Sequence, residues 1–105
     1  MYSLYGIRKA PTTAQLEGID ILIYDIQDVG ARYYTYIWTL TYTIEVLSLT
    51  KTKLIIFDRP NPLGRKVEGC PLKIDIGLTG RLFPGQPYSF PIRYGLTTAE
   101  FIRYL

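Results

Sequence analysis

Ile19-Asp20-Ile21-Leu22-Ile23-Tyr24-Asp25 and Lys53-Leu54-Ile55-Ile56-Phe57-Asp58 are the two stretches that decide how this chain folds. Each is a short apolar run closing on an aspartate, the pattern of a strand buried in a parallel sheet. Between them, over residues 34–49, the apolar period changes. Ile37, Leu40, Ile44 and Leu47 recur at helical spacing and mark one face, with Tyr34, Trp38 and Tyr42 on an adjacent stripe. Strand, helix, strand in this order is a parallel βαβ unit, and it predicts the α/β class. Parallel strands carry their C-terminal ends to one sheet edge, where open α/β sheets form their ligand crevices. Asp25 and Asp58 are therefore expected on one functional rim.

Working outward, Thr12-Thr13-Ala14-Gln15 is a capping box, and Gly18 supplies the left-handed residue that ends the short helical turn it opens. Thr97-Thr98-Ala99-Glu100 is a second capping box. It starts a final helix with Phe101 and Leu105 on its apolar face. Residues 60–95 hold every proline except Pro11, and Arg59-Pro60-Asn61-Pro62-Leu63-Gly64 is turn chemistry throughout. A long, irregular, proline-rich segment is predicted there, with at most short strands near residues 66–68. Such a segment is either a functional loop or a region resting on another part of the protein.

At 105 residues, 48% hydrophobic and 20% charged, the chain has the composition of one small globular domain. The net charge of +3 comes from basic residues spread along the sequence, so no stripe marks a nucleic-acid partner. No run reaches the ~18 apolar residues of a membrane span. Histidine is absent and Cys70 is the one cysteine. That removes the commonest general base and metal ligand, an internal disulfide and a cysteine-based zinc site. No cofactor and no metal site is expected, and acid–base chemistry falls to Asp, Glu or Tyr. The ten tyrosines suit half-buried surfaces, interfaces and sugar-facing clefts.

Three polar clusters stand out. In Asp25-Ile26-Gln27-Asp28-Val29-Gly30-Ala31-Arg32, Arg32 can clamp a carboxylate, or Asp28 caps the next helix while Arg32 pairs with Asp25 or Asp28. In Asp58-Arg59-Pro60-Asn61-Pro62, Asn61 offers a donor and an acceptor to a sugar, or the stretch is an Asx turn. In Pro91-Ile92-Arg93-Tyr94-Gly95-Leu96-Thr97, Arg93 before a helix start can hold an anion, or the stretch only caps. Paired carboxylates suit glycoside hydrolysis, one giving a proton while the other stabilises or attacks the anomeric carbon. They also suit a magnesium site on a phosphate-binding α/β domain, a weaker reading because the Gly-rich phosphate loop with its Lys-Ser/Thr pair is missing.

Ser3-Leu4-Tyr5-Gly6, Asp25-Ile26-Gln27-Asp28-Val29-Gly30 with Arg32-Tyr33-Tyr34-Thr35-Tyr36, Asp58-Arg59-Pro60-Asn61-Pro62 with Glu68-Gly69, and Arg93-Tyr94-Gly95-Leu96-Thr97 occur in this order. They resemble segments of the NamZ-type exo-β-N-acetylmuramidases over nearly the whole chain. The resemblance implies a partial Rossmann-like three-layer domain over residues 1–105. That domain would be an internal fragment of the N-terminal domain of a larger two-domain enzyme with its cleft between the domains. The implied activity is removal of terminal β-linked N-acetylmuramic acid from peptidoglycan fragments, by an enzyme exported to the periplasm or outside the cell. The implied partners are muramic-acid-containing peptidoglycan fragments and the rest of the parent enzyme.

Carried onto this sequence, the resemblance makes Asp25, Asp28 and Asp58 the catalytic candidates. Arg32 and Arg93 would hold the lactyl carboxylate, and Tyr34, Tyr36, Arg59, Asn61, Glu68 and Tyr94 would contact the substrate. The family's leading catalytic glutamate belongs to a Pro-Glu-His-Gly-like motif upstream of the Ser-Leu-Tyr-Gly segment. The family also reads Arg-His-Gly where this chain has Arg93-Tyr94-Gly95. On that reading the chain by itself is inactive. The rivals are a non-catalytic truncated paralogue that binds muramyl sugars, and the magnesium-dependent phosphate binder.

Overall fold

The computed structural model describes residues 1–5, 7–71 and 90–105. They form two compact units, one of Met1–Ile26 with Thr35–Asp58, the other of Gln27–Tyr34 with Arg59–Leu105.

The first unit is the βαβ element. Helix α1, Thr13–Leu16, opens on the expected capping box: the Thr12 side chain accepts from Gln15 N, and the Gln15 side chain accepts from Thr12 N at 2.9 Å. Gly18, at φ 75°, turns the chain into strand β1, Ile21–Tyr24. Helix α2, Tyr36–Leu47, then leads to strand β2, Lys53–Ile56. The strands pair in parallel from Ile21 opposite Lys53 to Tyr24 opposite Ile56. Lys53 N to Asp20 O at 2.8 Å and Phe57 N to Tyr24 O at 2.9 Å extend the ladder at either end.

Helix α2 packs on β2 and buries Ile37, Leu40 and Leu47, three of the four residues expected on its apolar face, together with Trp38 of the adjacent stripe. Threonine is a poor helix former, yet here its hydroxyls find partners within the helix. Thr41 and Thr43 donate to the carbonyls of Ile37 and Thr39 at 2.9 and 2.7 Å. The helix starts at Tyr36, later than the pattern suggests, because a turn from Ala31 O to Tyr34 N occupies the residues before it.

The strands differ from expectation in their burial. Buried parallel strands were expected to be covered on both faces, but Ile21, Ile23 and Ile55 are 49%, 55% and 41% exposed while Tyr24 is 8% exposed. Successive side chains point to opposite faces. One face of the two-stranded sheet is therefore covered, and the other presents isoleucine to its surroundings among the described residues.

Among the described residues the second unit is held by loops and one helix, α3, Thr98–Tyr104, with its predicted capping box between Thr97 and Glu100. Its core is aromatic. Phe90 lies 4.6 Å from Phe101 and 5.7 Å from Tyr104 between ring centroids, and Tyr94 lies 5.1 Å from Phe101. The strand expected near residues 66–68 is reduced to an isolated bridge. Arg93 sits between two antiparallel partners, Glu68 on one side and Ala31 on the other. The prolines and the left-handed Gly69, φ 92°, stop the pairing from growing. Much of the predicted proline-rich irregular segment, residues 72–89, lies outside the described residues. Among the described residues no helix is long and apolar enough to cross a membrane.

Candidate functional site

The second unit gathers one stretch from each of the three polar clusters around Asp28. The chain leaves residue 28 through Gly30, whose φ of 86° belongs to the left-handed region. Glycine is needed for space as well, because a Cβ there would lie 2.0 Å from Asn61 Oδ1. Asn61 spends both ends of its amide on the backbone: Nδ2 donates to Leu96 O at 2.9 Å, and Oδ1 accepts from Leu63 N at 2.8 Å. It thus acts as an Asx turn that also ties the 59–64 loop to the segment before α3.

Asp28 is 3% exposed. Its Oδ2 accepts from Gly30 N at 2.8 Å and from the hydroxyl of Tyr94, which is itself buried. Its Oδ1 is buried and has no hydrogen-bond partner among the described residues. A buried carboxylate oxygen without a donor is costly. The residues gathered around it are Gln27, Gly30, Arg59, Asn61, Tyr94, Leu96, Thr97 and Thr98, packed too closely to leave room for a water molecule between them. Gln27 is fixed there by donating from Nε2 to Asp28 O at 2.7 Å.

Both arginines expected to hold a carboxylate point at protein acceptors. Arg32 Nη1 donates to Cys70 O at 2.6 Å and to Phe90 O at 2.5 Å. Arg93 pairs through Nη1 with Glu68 and donates from Nη2 to Leu63 O. Backbone bonds reinforce this scaffold: Arg32 N to Ile92 O at 3.0 Å, and reciprocal bonds between Glu68 and Arg93 at 3.1 and 2.9 Å. Glu68 also meets Lys66 at 2.5 Å. The hydrogen bond from Lys66, helped by the positive charge and hydrogen bond of Arg93, holds the Glu68 carboxyl below its ordinary value.

In the first unit, Asp25 follows β1 directly and Asp58 follows β2 by two residues, so adjacent parallel strands bring both to the same sheet edge. Both are exposed. Asp25 lines an apolar groove of about 350 Å³ with Leu4, Leu16, Leu22 and Ile23. Tyr36 of this unit is 45% exposed, and in the second unit Tyr34 is 47% exposed. Of the sequence-chosen residues, then, Asp28, Arg59, Asn61 and Tyr94 come together in one polar cluster. Arg32, Glu68 and Arg93 form the scaffold of the same unit. Gln27, Leu96, Thr97 and Thr98 were not singled out as ligand-facing residues. They lie inside the quoted motifs, and Thr97 had been read only as a cap. Among the described residues no three His, Cys, Asp or Glu side chains form a group that could hold a metal ion.

The family model described as exo-beta-N-acetylmuramidase NamZ, N-terminal, matches residues 1–105. The chain is 41% identical over 101 residues to the peptidoglycan beta-N-acetylmuramidase NamZ of Bacillus subtilis strain 168, covering 95% of this chain and 23% of that protein. Crystal structures of two DUF1343 family proteins from Bacteroides fragilis are also similar. One aligns with a TM-score of 0.76 and 40% identity over 95% of this chain and 25% of its own. The other aligns with a TM-score of 0.73 and 35% identity over 87% of this chain and 24% of its own. The chain thus spans about a quarter of the length of these relatives. It belongs to the NamZ family of exo-β-N-acetylmuramidases and corresponds to part of that family's N-terminal domain.

Proposed function

We propose that the full-length protein removes a terminal β-linked N-acetylmuramic acid from peptidoglycan fragments, and that this chain supplies one wall of its sugar-binding cleft. Membership of a family of peptidoglycan glycosidases supports the reaction class. One observation of the site carries the rest: Asp28 is buried, held on one oxygen by Tyr94 and Gly30, and open on the other. A pyranose hydroxyl or the acetamido N–H is a donor of the kind that oxygen lacks. Held at a fixed place, the carboxylate also favours the positive charge that develops at the anomeric carbon in glycoside cleavage. Gln27, Asn61 and Tyr94 surround it. Tyr34 of the same unit offers an exposed ring to the sugar. In the first unit, taken by itself, Asp25 and Asp58 stand at the strand ends and Tyr36 is exposed. The catalytic acid would come from outside these residues.

In this reading the βαβ unit is part of a Rossmann-like three-layer domain. Parallel strands joined by a helix, with aspartates at their C-terminal edge, support that placement. The protein would act outside the cytoplasmic membrane, where peptidoglycan lies. The test is product analysis. A chimera in which this chain replaces the matching stretch of the Bacillus subtilis relative is given a disaccharide with N-acetylmuramic acid at its non-reducing end. Release of free N-acetylmuramic acid is expected. Binding of the disaccharide without cleavage would favour a non-catalytic sugar-binding role instead.

A further inference from the structure

Consecutive side chains of a strand point to opposite faces of its sheet, so one groove can touch both only along the strand's edge. The apolar groove of the first unit does this. Its lining includes Leu22, Ile23 and Tyr24 in succession and no residue of β2. It therefore follows the edge of β1 that faces away from β2. The ladder fixes which backbone groups lie there. Lys53 N donates to Asp20 O and Phe57 N to Tyr24 O, so the alternation of a parallel pair turns Asp20, Leu22 and Tyr24 toward β2. Ile21 and Ile23 turn their N–H and C=O groups the other way. Among the described residues those four groups have no backbone partner. Nothing in β1 guards this edge. Edge strands are ordinarily protected by charges, prolines or bulges. Strand β1 instead reads Ile-Leu-Ile-Tyr, the continuous apolar run of a strand inside a parallel sheet. The groove beside it offers about 350 Å³, and Leu4, Leu16 and Thr39 help to line it. The relatives have chain enough to fill it, because this chain spans only 23% and 25% of the length of two of them.

We propose that β1 is an interior strand of the full-length protein, and that its free edge receives a further strand, parallel to it and mostly apolar, from the part of the polypeptide outside this chain. This rests on the reading of the chain as one piece of a larger α/β domain. The added strand accepts from the N–H groups of Ile21 and Ile23 and donates to their C=O groups. Its side chains fill the groove, which is why the occupant is apolar. Parallel direction follows from the character of β1, since strands that read as unbroken apolar runs have parallel neighbours. The direction has a consequence for the site. A parallel strand carries its C-terminal end to the edge where Asp25 stands, so side chains from outside this chain join the strand-end rim beside Asp25.

Two measurements on the same chimera test this, and neither depends on turnover. Amide hydrogen exchange, resolved to single residues, compares Ile21 and Ile23 with Leu22 and Tyr24, whose N–H groups face β2. All four are expected to exchange within about tenfold of one another. Faster exchange of Ile21 and Ile23 than that would overturn the added strand. Photo-crosslinking then identifies the occupant. Photoreactive p-benzoylphenylalanine is placed at position 19 or at position 26, in place of Ile19 or Ile26, which line the groove and are 41% and 43% exposed. Both positions are expected to capture one stretch of the same polypeptide outside residues 1–105, with position 26 capturing the later residue of that stretch. The reverse order would overturn the parallel direction. Capture of a second copy, capture within residues 1–105 or no capture would overturn the occupant. Protected amides in a chimera that does not cleave the disaccharide would contradict the proposed reaction and leave the added strand standing. Cleavage by a chimera whose Ile21 and Ile23 amides exchange freely would do the opposite.

Discussion

Removing the hydroxyl of Tyr94 isolates what the Asp28 contact does. Tyr94→Phe keeps the ring 5.1 Å from Phe101 but takes a donor from a buried carboxylate. Hydrogen bonds to charged groups contribute about 1.5–3 kcal/mol, so urea denaturation should show a loss of that size. Tyr104→Phe, at an exposed site, should change stability by less than about 0.5 kcal/mol. Gly30→Ala should be worse than Gly18→Ala. Both positions have positive φ, at 86° and 75°, which costs an alanine about 1–2 kcal/mol. Only at Gly30 would the new Cβ also strike Asn61, whereas at Gly18 it meets open space. Glu68 gives the unit an acid limb. Its folded-state carboxyl is held below the ordinary value, chiefly by Lys66 and then by Arg93. The resulting stability is therefore present above the ordinary carboxyl range of about 4.3 and lost as pH falls through the depressed value. Denaturation curves taken across that range should lose their acid-side slope in Glu68→Gln.

Among elements, the two capping boxes invite a direct comparison because the same four-residue chemistry starts helices of different consequence. Thr12→Ala and Thr97→Ala each remove a side-chain acceptor from a helix N-terminus, which costs about 0.5–2 kcal/mol. The Thr97 variant should lie at the upper end, since α3 carries Phe101 into the aromatic core while α1 buries Leu16 alone. Chemical denaturation of the two variants checks the order. These elements were legible in the sequence because their signals are local: a cap with its reciprocal glutamine or glutamate, a period of apolar residues, a glycine at a helix end. The strands were legible as apolar runs, but not their one-sided burial, which depends on what covers each face. The pairing of Arg93 with both Glu68 and Ala31 was hidden for another reason. It joins residues from three separated stretches, and no local pattern announces it.

For the molecule as a whole, the exposed isoleucines of the sheet and the polar cluster around Asp28 pull in different directions. Parallel sheets are ordinarily covered on both faces. Ile21, Ile23 and Ile55 form an apolar patch of the kind that drives association. Sedimentation of the 105-residue chain should show concentration-dependent self-association, reduced in Ile23→Lys; a monomer at all concentrations would count against this. The polar cluster was only half legible from sequence. Asp28, Asn61, Arg59 and Tyr94 lie in conspicuous motifs, but the committed contacts of Arg32 and Arg93 emerge only when distant carbonyls are in place. The central claim is that the open oxygen of Asp28 serves glycoside cleavage. Its most direct test is kcat/KM on a chromogenic β-N-acetylmuramide, for the chimera carrying this chain and for its Asp28→Asn variant, below the melting temperature of both. The account predicts a fall of at least about a hundredfold, as for loss of a positioned catalytic carboxylate. An unchanged rate in the folded variant would contradict it.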